Sequence, residues 1–213
     1  MKQMIAIIDY GMGNIHSLKS ILEYLEQKVV ITRDQRVLTS AGKLILPGVG
    51  AFSQAMKHLE EFALLELLKE EYTKGKPILG ICLGMQLLAQ SSTEHGFNKG
   101  LSLVEGEVNA FTTIKEGEQS YHHQKVPHVG FNGVDIVKDS VLFEGINTGA
   151  DFYFTHSYRM QCLDSDVVSS YTTNGEKFVS SIEKDNLFGT QFHPELSQKN
   201  GVQLMKNFIQ NIN

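Results

Sequence analysis

Two hydrophobic rhythms alternate through the first half of the chain. Met4 to Asp9 is a short isoleucine-rich run bounded by Gly11 and Gly13, the pattern of a strand buried on both faces. Ile15, Leu18, Ile21, Leu22 and Leu25 then recur at helical spacing, with Asn14 placed to cap the helix. Val29 to Thr32 and Lys43 to Leu46 are further strand candidates, and the second runs into the loop Pro47-Gly48-Val49-Gly50. One helix is expected across Ser53 to Lys74, with Leu64, Leu65, Leu67, Leu68 and Tyr72 on its apolar face and Gly75 and Pro77 ending it. Ile78 to Cys82 repeats the short apolar strand, and Met85, Leu87, Leu88 and Ala89 predict a helix directly behind it. Such alternation implies a largely parallel sheet covered by helices on both faces.

The second half changes rhythm. Glu107 to Phe111, Gly133 to Val137, Asp151 to Tyr158, Val167 to Thr172, Phe178 to Ile182 and Leu187 to Phe192 all read as strands. Few helices separate them, so antiparallel hairpins should extend the sheet. Val202, Leu204, Met205, Phe208 and Ile209 predict a closing helix. No repeat, low-complexity tract or linker interrupts the pattern. The expectation is one domain over residues 1–213, of α/β class, with a mixed central sheet between two helical layers.

Composition narrows the function classes. Nineteen basic and 24 acidic residues leave a net charge of −5, so no basic excess drives binding to nucleic acid or an anionic membrane. No apolar run approaches the roughly 20 residues that span a bilayer. The apolar start, Met4 to Ile8, is too short for the core of a secretory signal, which points to a cytoplasmic chain. Two cysteines, Cys82 and Cys162, do not make a disulfide framework and read as reduced thiols.

Candidate chemistry begins at Gly80-Ile81-Cys82-Leu83-Gly84, which joins a strand to a helix. That arrangement predicts a nucleophile elbow, with the side chain on a tight turn and glycines allowing close backbone approach. The turn also sets Cys82 at a helix N-terminus, where dipole and free amides favour a thiolate. A base is still required, because an ordinary thiol is only a few per cent ionised near neutrality. His193-Pro194-Glu195 follows the last predicted strand and supplies an imidazole with a carboxylate to orient it. Alone, Cys82 reads equally as a small packed residue and His193 as a loop histidine beside a solvated glutamate. Together they suggest nucleophilic catalysis. Other features carry less. Gly11-x-Gly13 lacks the third glycine of a dinucleotide fingerprint, since position 16 is His16. His122, His123 and His128 have no cysteine or paired carboxylate at ligand spacing, so a solvated loop is expected and no metal; His122 to Lys125 reads as exposed. Cys162 has no His-Glu partner nearby and reads as a passive thiol.

The elbow, the Met85-Gln86-Leu87 that follows it and Phe192-His193-Pro194-Glu195 resemble the triad-type, class I glutamine amidotransferases. The resemblance is closest to the glutaminase subunits of imidazole glycerol phosphate synthases. It extends through residues 9–14, Leu46 to Phe52, Val126 to Asn132 and Phe152 to Tyr158, so it covers essentially the whole chain in the family's order. It implies the family's three-layer fold and a cysteine–histidine–glutamate triad of Cys82, His193 and Glu195. It also implies an oxyanion hole from the Leu83 amide and the Gly48-Val49-Gly50 loop. Glutamine contacts fall at Gln86, Glu94, His156, Ser157 and Tyr158. A carboxylate such as Glu94 suits the ammonium of a zwitterionic substrate. By the same resemblance, ammonia released from L-glutamine passes to a (β/α)8-barrel cyclase subunit in a heterodimer of the histidine pathway, with no cofactor. Related copies serve surface-polysaccharide pathways, and a cysteine peptidase on a similar fold is the further alternative. Gln86 and His156-Ser157-Tyr158 favour the amidotransferase over the peptidase. Two departures stand out. Phe131 replaces the usual tryptophan, an exchange expected to preserve packing, and Leu196 replaces a lysine usual at the partner-facing rim.

Overall fold

Five parallel strands deliver their carboxyl ends to one edge, and the rest of the architecture shapes what gathers there. The computed structural model of the protein describes residues 3–111 and 126–212. In chain order the strands are β1 (Ile5–Ile8), β2 (Val29–Thr32), β3 (Lys43–Leu46), β4 (Ile78–Ile81), β5 (Ser91–Ser92), β6 (Asn98–Lys99) and β7 (Gly106–Ala110). They continue as β8 (His128–Ile136), β9 (Ala150–His156), β10 (Tyr158–Cys162), β11 (Val168–Asn174), β12 (Glu176–Lys184) and β13 (Leu187–Thr190). The helices are α1 (Ile15–Tyr24), α2 (Gln35–Ser40), α3 (Phe52–Glu61), α4 (Leu65–Thr73), α5 (Leu83–Gln86) and α6 (Gln198–Gln210).

The main sheet has the order β2-β1-β3-β4-β13-β12-β11-β8-β9. Pairings from β2 through β13 are parallel, and those from β13 outward are antiparallel. The mixed sheet expected from the change of rhythm is therefore present. Both faces are covered because successive side chains on a strand point to opposite sides. Ile5 and Ile7 pack with Leu18, Ile21 and Leu22 of α1 and Leu204, Met205 and Phe208 of α6. Ala6 and Ile8 join Leu38 of α2, Phe52, Ala55 and Leu59 of α3, and Leu67 and Leu68 of α4. Each large apolar side chain buried in this way contributes about 1.5–3 kcal/mol.

Three expectations need correction. The helix foreseen over Ser53 to Lys74 is two helices, because Ala63 adopts φ 52°. The Leu64 N–H donates to the Leu59 carbonyl and the Ala63 N–H to that of Glu60. This is a Schellman closure with alanine where glycine is usual, so the sequence carries no stop signal there. The helix expected through Ala89 also ends early, at Gln86. The carbonyls of Leu87 and Leu88 are taken by Leu101, Leu103 and Val104, which turns the chain away. Finally, the strand expected from Asp151 to Tyr158 breaks at Ser157, and β10 leaves to pair with β7. With β5 and β6 this forms a second, four-stranded sheet of order β10-β7-β5-β6, unforeseen because two of its strands are only two residues long.

The β8–β9 hairpin carries a buried histidine pair. His128 lies opposite His156 in the register, and both are buried rather than solvated as expected for His128. His156 donates from Nδ1 to the Tyr158 carbonyl at 2.7 Å, leaving its Nε2 to accept from His128 Nδ1 at 3.2 Å. The Asn132 amide completes the chain by donating to His128 Nε2 at 3.3 Å. Both rings are neutral in this arrangement. Burial lowers the pKa of His128 and takes that of His156 down to about 3; the Tyr158 bond opposes the latter shift, and electrostatic interaction with His128 and His193 reinforces it by penalising a second positive charge.

Two outcomes follow from these features. Gly tolerates positive φ, whereas alanine there costs about 1–2 kcal/mol, partly offset by the unfolded-chain entropy that glycine adds. Ala63→Gly is expected to raise stability by up to about 1 kcal/mol in urea unfolding, and Ala63→Val to lower it. A histidine with a depressed folded pKa leaves stability intact above about 6.5 and erodes it as pH falls toward the folded value. His156→Gln should therefore lose less stability than the parent between pH 7 and pH 5; equal losses would contradict a neutral buried His156.

Candidate active site

Three neighbouring strand ends converge. β3 runs into Pro47-Gly48-Val49-Gly50, β4 into Cys82, and β13 into Gln191-Phe192-His193. Ile81 pairs with Thr190 in parallel register, and the Cys82 N–H donates to the Thr190 carbonyl at 2.7 Å. Cys82 and the turn to His193 are thus neighbours through sheet register, despite their separation in the chain.

Cys82 sits at φ 54° and ψ −112°. Such a non-glycine conformation costs about 1–3 kcal/mol and persists only where its surroundings impose it. Here they do. A Cβ on Gly84 would lie 1.9 Å from the Leu46 carbonyl oxygen, so only glycine lets the turn lie against β3. A Cβ on Gly48 would lie 2.7 Å from the Gly84 nitrogen. Gly48 therefore serves as a packing residue under the elbow and does not line the cavity there.

Behind the elbow, the His193 Nδ1–H donates to Glu195 Oε1 at 2.8 Å. The side chains are 3% and 1% exposed, so Glu195 is not the solvated carboxylate of a surface loop. The His193 backbone N–H donates to the Tyr153 carbonyl at 2.8 Å, which anchors the turn to β9. Burial alone would lower the His193 pKa, but hydrogen bonding and charge from Cys82 and Glu195 outweigh it and raise it well above the usual imidazole value. His193 Nε2 and Glu195 Oε2 are buried without a hydrogen-bond partner of normal geometry. The Cys82 sulfur instead approaches the Thr155 carbonyl at 3.8 Å and the Gln191 amide nitrogen at 3.7 Å. The environment therefore favours the protonated, charged form of His193.

Cys82 opens into a cavity of about 600 Å³. Val49, Gly50, Leu83, Gln86, Glu94, His156, Ser157 and Tyr158 line it, while His193 and Glu195 do not. Sequence reasoning missed His95, Pro127 and Thr155, which also line it. Leu83 is the first residue of α5, where helical amides have no partner within the helix. Glu94, carried on the turn between β5 and β6, is buried; its Oε2 accepts from the Phe52 N–H at 2.6 Å and caps α3. Its other oxygen makes no such cap. Gln86 gives one amide hydrogen to the Tyr158 carbonyl and the other to Gln191 Oε1, both at 2.9 Å. Only its carbonyl oxygen remains for a ligand.

The remaining candidates separate from the site. Cys162 ends β10, and burial, with the charge of Asp164, pushes its thiol pKa up to about 12. His122, His123 and Lys125 lie outside the described residues. Among the described residues no group of three histidine, cysteine or acidic side chains is placed to hold a metal ion. Phe131 is 49% exposed and sets its ring edge-on against that of Tyr153 at 5.5 Å. Leu196 is also exposed. No helix among the described residues is long and apolar enough to cross a membrane.

The family model "Glutamine amidotransferase class-I" matches residues 6–212. The imidazole glycerol phosphate synthase subunit HisH of Aquifex aeolicus is 47% identical over 203 residues, covering 95% of this chain and 94% of that protein. Its namesake from Moorella thermoacetica is 45% identical over 204 residues, covering 96% and 93%. Among solved structures, that of PurLQS from Thermotoga maritima superposes with a TM-score of 0.74 at 17% identity, covering both chains completely. A structure described as glutamine amidotransferase gives 0.73 at 18% identity, covering 97% of each. These two likenesses concern the fold alone. The family match and the relatives at 45–47% identity span nearly the whole chain, and by them the chain belongs to the class I glutamine amidotransferases.

Proposed function

We propose that this protein is the glutaminase subunit of an imidazole glycerol phosphate synthase, acting as one amidotransferase domain in the cytoplasm. The observation that carries the reading is the buried His193–Glu195 pair set behind a cysteine in a strained elbow, opening on a cavity that contains a carboxylate. The relatives' names support the synthase over a polysaccharide pathway. A peptidase would have less use for Glu94, which suits the free ammonium of L-glutamine.

The chemistry runs from this charge arrangement. The Cys82 thiolate attacks the side-chain amide carbon of glutamine, and the Leu83 amide with one from Gly48-Val49-Gly50 stabilises the oxyanion. His193 gives its Nε2 proton to the departing ammonia, leaving a thioester on Cys82. It then takes a proton from water, which attacks the thioester and releases glutamate. Glu195 holds the imidazole by Nδ1 and stabilises its charged form, so that Nε2 faces the sulfur. Ammonia passes to a (β/α)8-barrel cyclase, whose products are imidazole glycerol phosphate and an aminoimidazole carboxamide ribotide. Val49, Val126, Val129, Phe131 and Leu196 are exposed apolar side chains next to cavity-lining or triad residues, or on the outer face of β8, and suit a protein partner. Leu196 offers that partner an apolar contact where the resemblance leads one to expect a lysine.

The test separates the two half-reactions. Cys82→Ala in the assembled complex should abolish glutamine-dependent synthesis and leave synthesis from an ammonium salt nearly unchanged, because external ammonia bypasses the triad. His193→Ala should behave alike, and Glu195→Gln more mildly, since an amide still contacts the ring without its charge. Equal loss of both activities in Cys82→Ala, with the complex intact by gel filtration, would refute the reading. A second measurement addresses substrate recognition. Glu94→Gln should raise the KM for glutamine about tenfold or more, as expected when a buried charged contact is neutralised, with a smaller effect on kcat.

A further inference from the structure

The triad leaves one polar neighbour of the nucleophile unexplained. Gln191 is fully buried, lies between β13 and the Phe192-His193 turn, and is absent from the cavity lining. Its Nε2 stands 3.7 Å from the Cys82 sulfur, and its Oε1 accepts from Gln86 Nε2 at 2.9 Å. The direction of this amide is set by its neighbours. Gln86 spends one hydrogen on the Tyr158 carbonyl, an acceptor that also takes the His156 Nδ1–H, so its other hydrogen can only be given to an oxygen. Gln191 must then turn its oxygen to Gln86 and its N–H toward sulfur. The Gln191 backbone N–H, bonded to the Ser180 carbonyl at 2.8 Å, holds the residue from behind.

Resting on the proposed glutaminase reading, we infer that Gln191 belongs to the catalytic centre: its side-chain amide donates to the Cys82 sulfur and holds the thiolate in line for attack. Apart from His193, the sulfur meets an acceptor on that scale of distance among the described residues, the Thr155 carbonyl at 3.8 Å. A carbonyl can bond a thiol hydrogen but repels a thiolate, so Thr155 stabilises the unreactive form and Gln191 the reactive one. A hydrogen bond to the charged form shifts the thiol–thiolate balance toward it. His193 does the larger part of that work by charge, but it moves its proton during the cycle. The amide of Gln191 does not ionise and remains a donor throughout. No proton is transferred through it. Because Gln191 sits behind the sulfur, its effect belongs to the reactivity of Cys82 and not to glutamine binding.

The groups that also face Cys82 must be held constant in any test. These are His193 with Glu195 after β13, His156 at the end of β9, Glu94 beside β5, and Tyr10 after β1. The phenol of Tyr10 is buried, donates to the Pro47 carbonyl at 2.6 Å, and has its pKa raised by that burial and by the charge of Cys82.

The experiment uses the full chain in its synthase complex, with iodoacetamide as the probe of Cys82, mapped by peptide mass. Alkylation rate is recorded against pH for the parent, Gln191→Leu and Gln191→Glu, beside kcat and KM for glutamine and turnover from an ammonium salt. Gln191→Leu removes the donor. Gln191→Glu keeps the shape and the acceptor for Gln86 but sets an oxygen against the sulfur. Both should move the acid limb of alkylation upward by about one pH unit, leaving about tenfold less thiolate on that limb. The kcat for glutamine should fall by about tenfold with KM nearly unchanged, and ammonia-dependent turnover should persist. Should Gln191→Leu fail to assemble, Gln191→Glu decides by the same curves. Alkylation profiles that superimpose on the parent, or a loss confined to KM, would overturn the inference. Failure of the parent itself to hydrolyse glutamine, or labelling elsewhere than at Cys82, would instead overturn the reading on which it rests.

Discussion

The parallel register between β4 and β13 is the constraint on which the site depends. Thr190 opposite Ile81 brings both strands to the same level, so the chain beyond each must turn within one residue or two. The bond from the Cys82 N–H to the Thr190 carbonyl fixes that level. A slip of one residue would reverse the faces of every side chain on β13 and carry Gln191 and the approach to His193 to the opposite side of the sheet. The strain at Cys82 is tolerated because Gly84 and Gly48 let three backbone segments approach within ordinary contact. Removing the sheet contacts would remove the reason for the elbow's conformation.

Electrostatics build upon this frame. His193 is buried where an isolated imidazole would remain neutral, yet its partners on both sides are acidic groups. The result is a histidine held charged a short distance from one held neutral. His156 is buried too but meets no acidic group: burial lowers its pKa, His128 and His193 reinforce the shift, and only the bond to the Tyr158 carbonyl opposes it. The difference comes from the groups each ring meets and not from depth of burial.

The second sheet explains how a cavity forms over the elbow. β10 leaves the main sheet at Ser157 and pairs with β7, while β5 and β6 carry Glu94 up beside them. Glu94 then fastens this sheet to the N-terminus of α3. Gln86 and Tyr158 tie it to the elbow. A cap of short strands that could not stand alone is held by polar contacts to the main sheet, and those contacts end in the residues that face the cavity.

Much of this was legible along the chain. The short apolar runs, the helical repeats and the turn glycines mark β1, β3, β4, α1 and α6 because each is determined by neighbours a few residues away. The Gly-Ile-Cys-Leu-Gly turn and the His193-Pro194-Glu195 turn are legible as elements for the same reason. Other features are invisible there. The break at Ala63 depends on backbone hydrogen bonds around a residue with no stop signal, and β5 and β6 are too short to show a period. That Glu94 caps a distant helix, that His128 meets His156, and that Gln191 turns its amide to Cys82 are decided by contacts between segments 28 to 109 residues apart. Local pattern selects the elements because hydrogen bonding and burial within a strand or helix repeat over a few residues. The direction of an amide or the charge of a buried ring depends on which groups surround it, and only the folded chain assembles them.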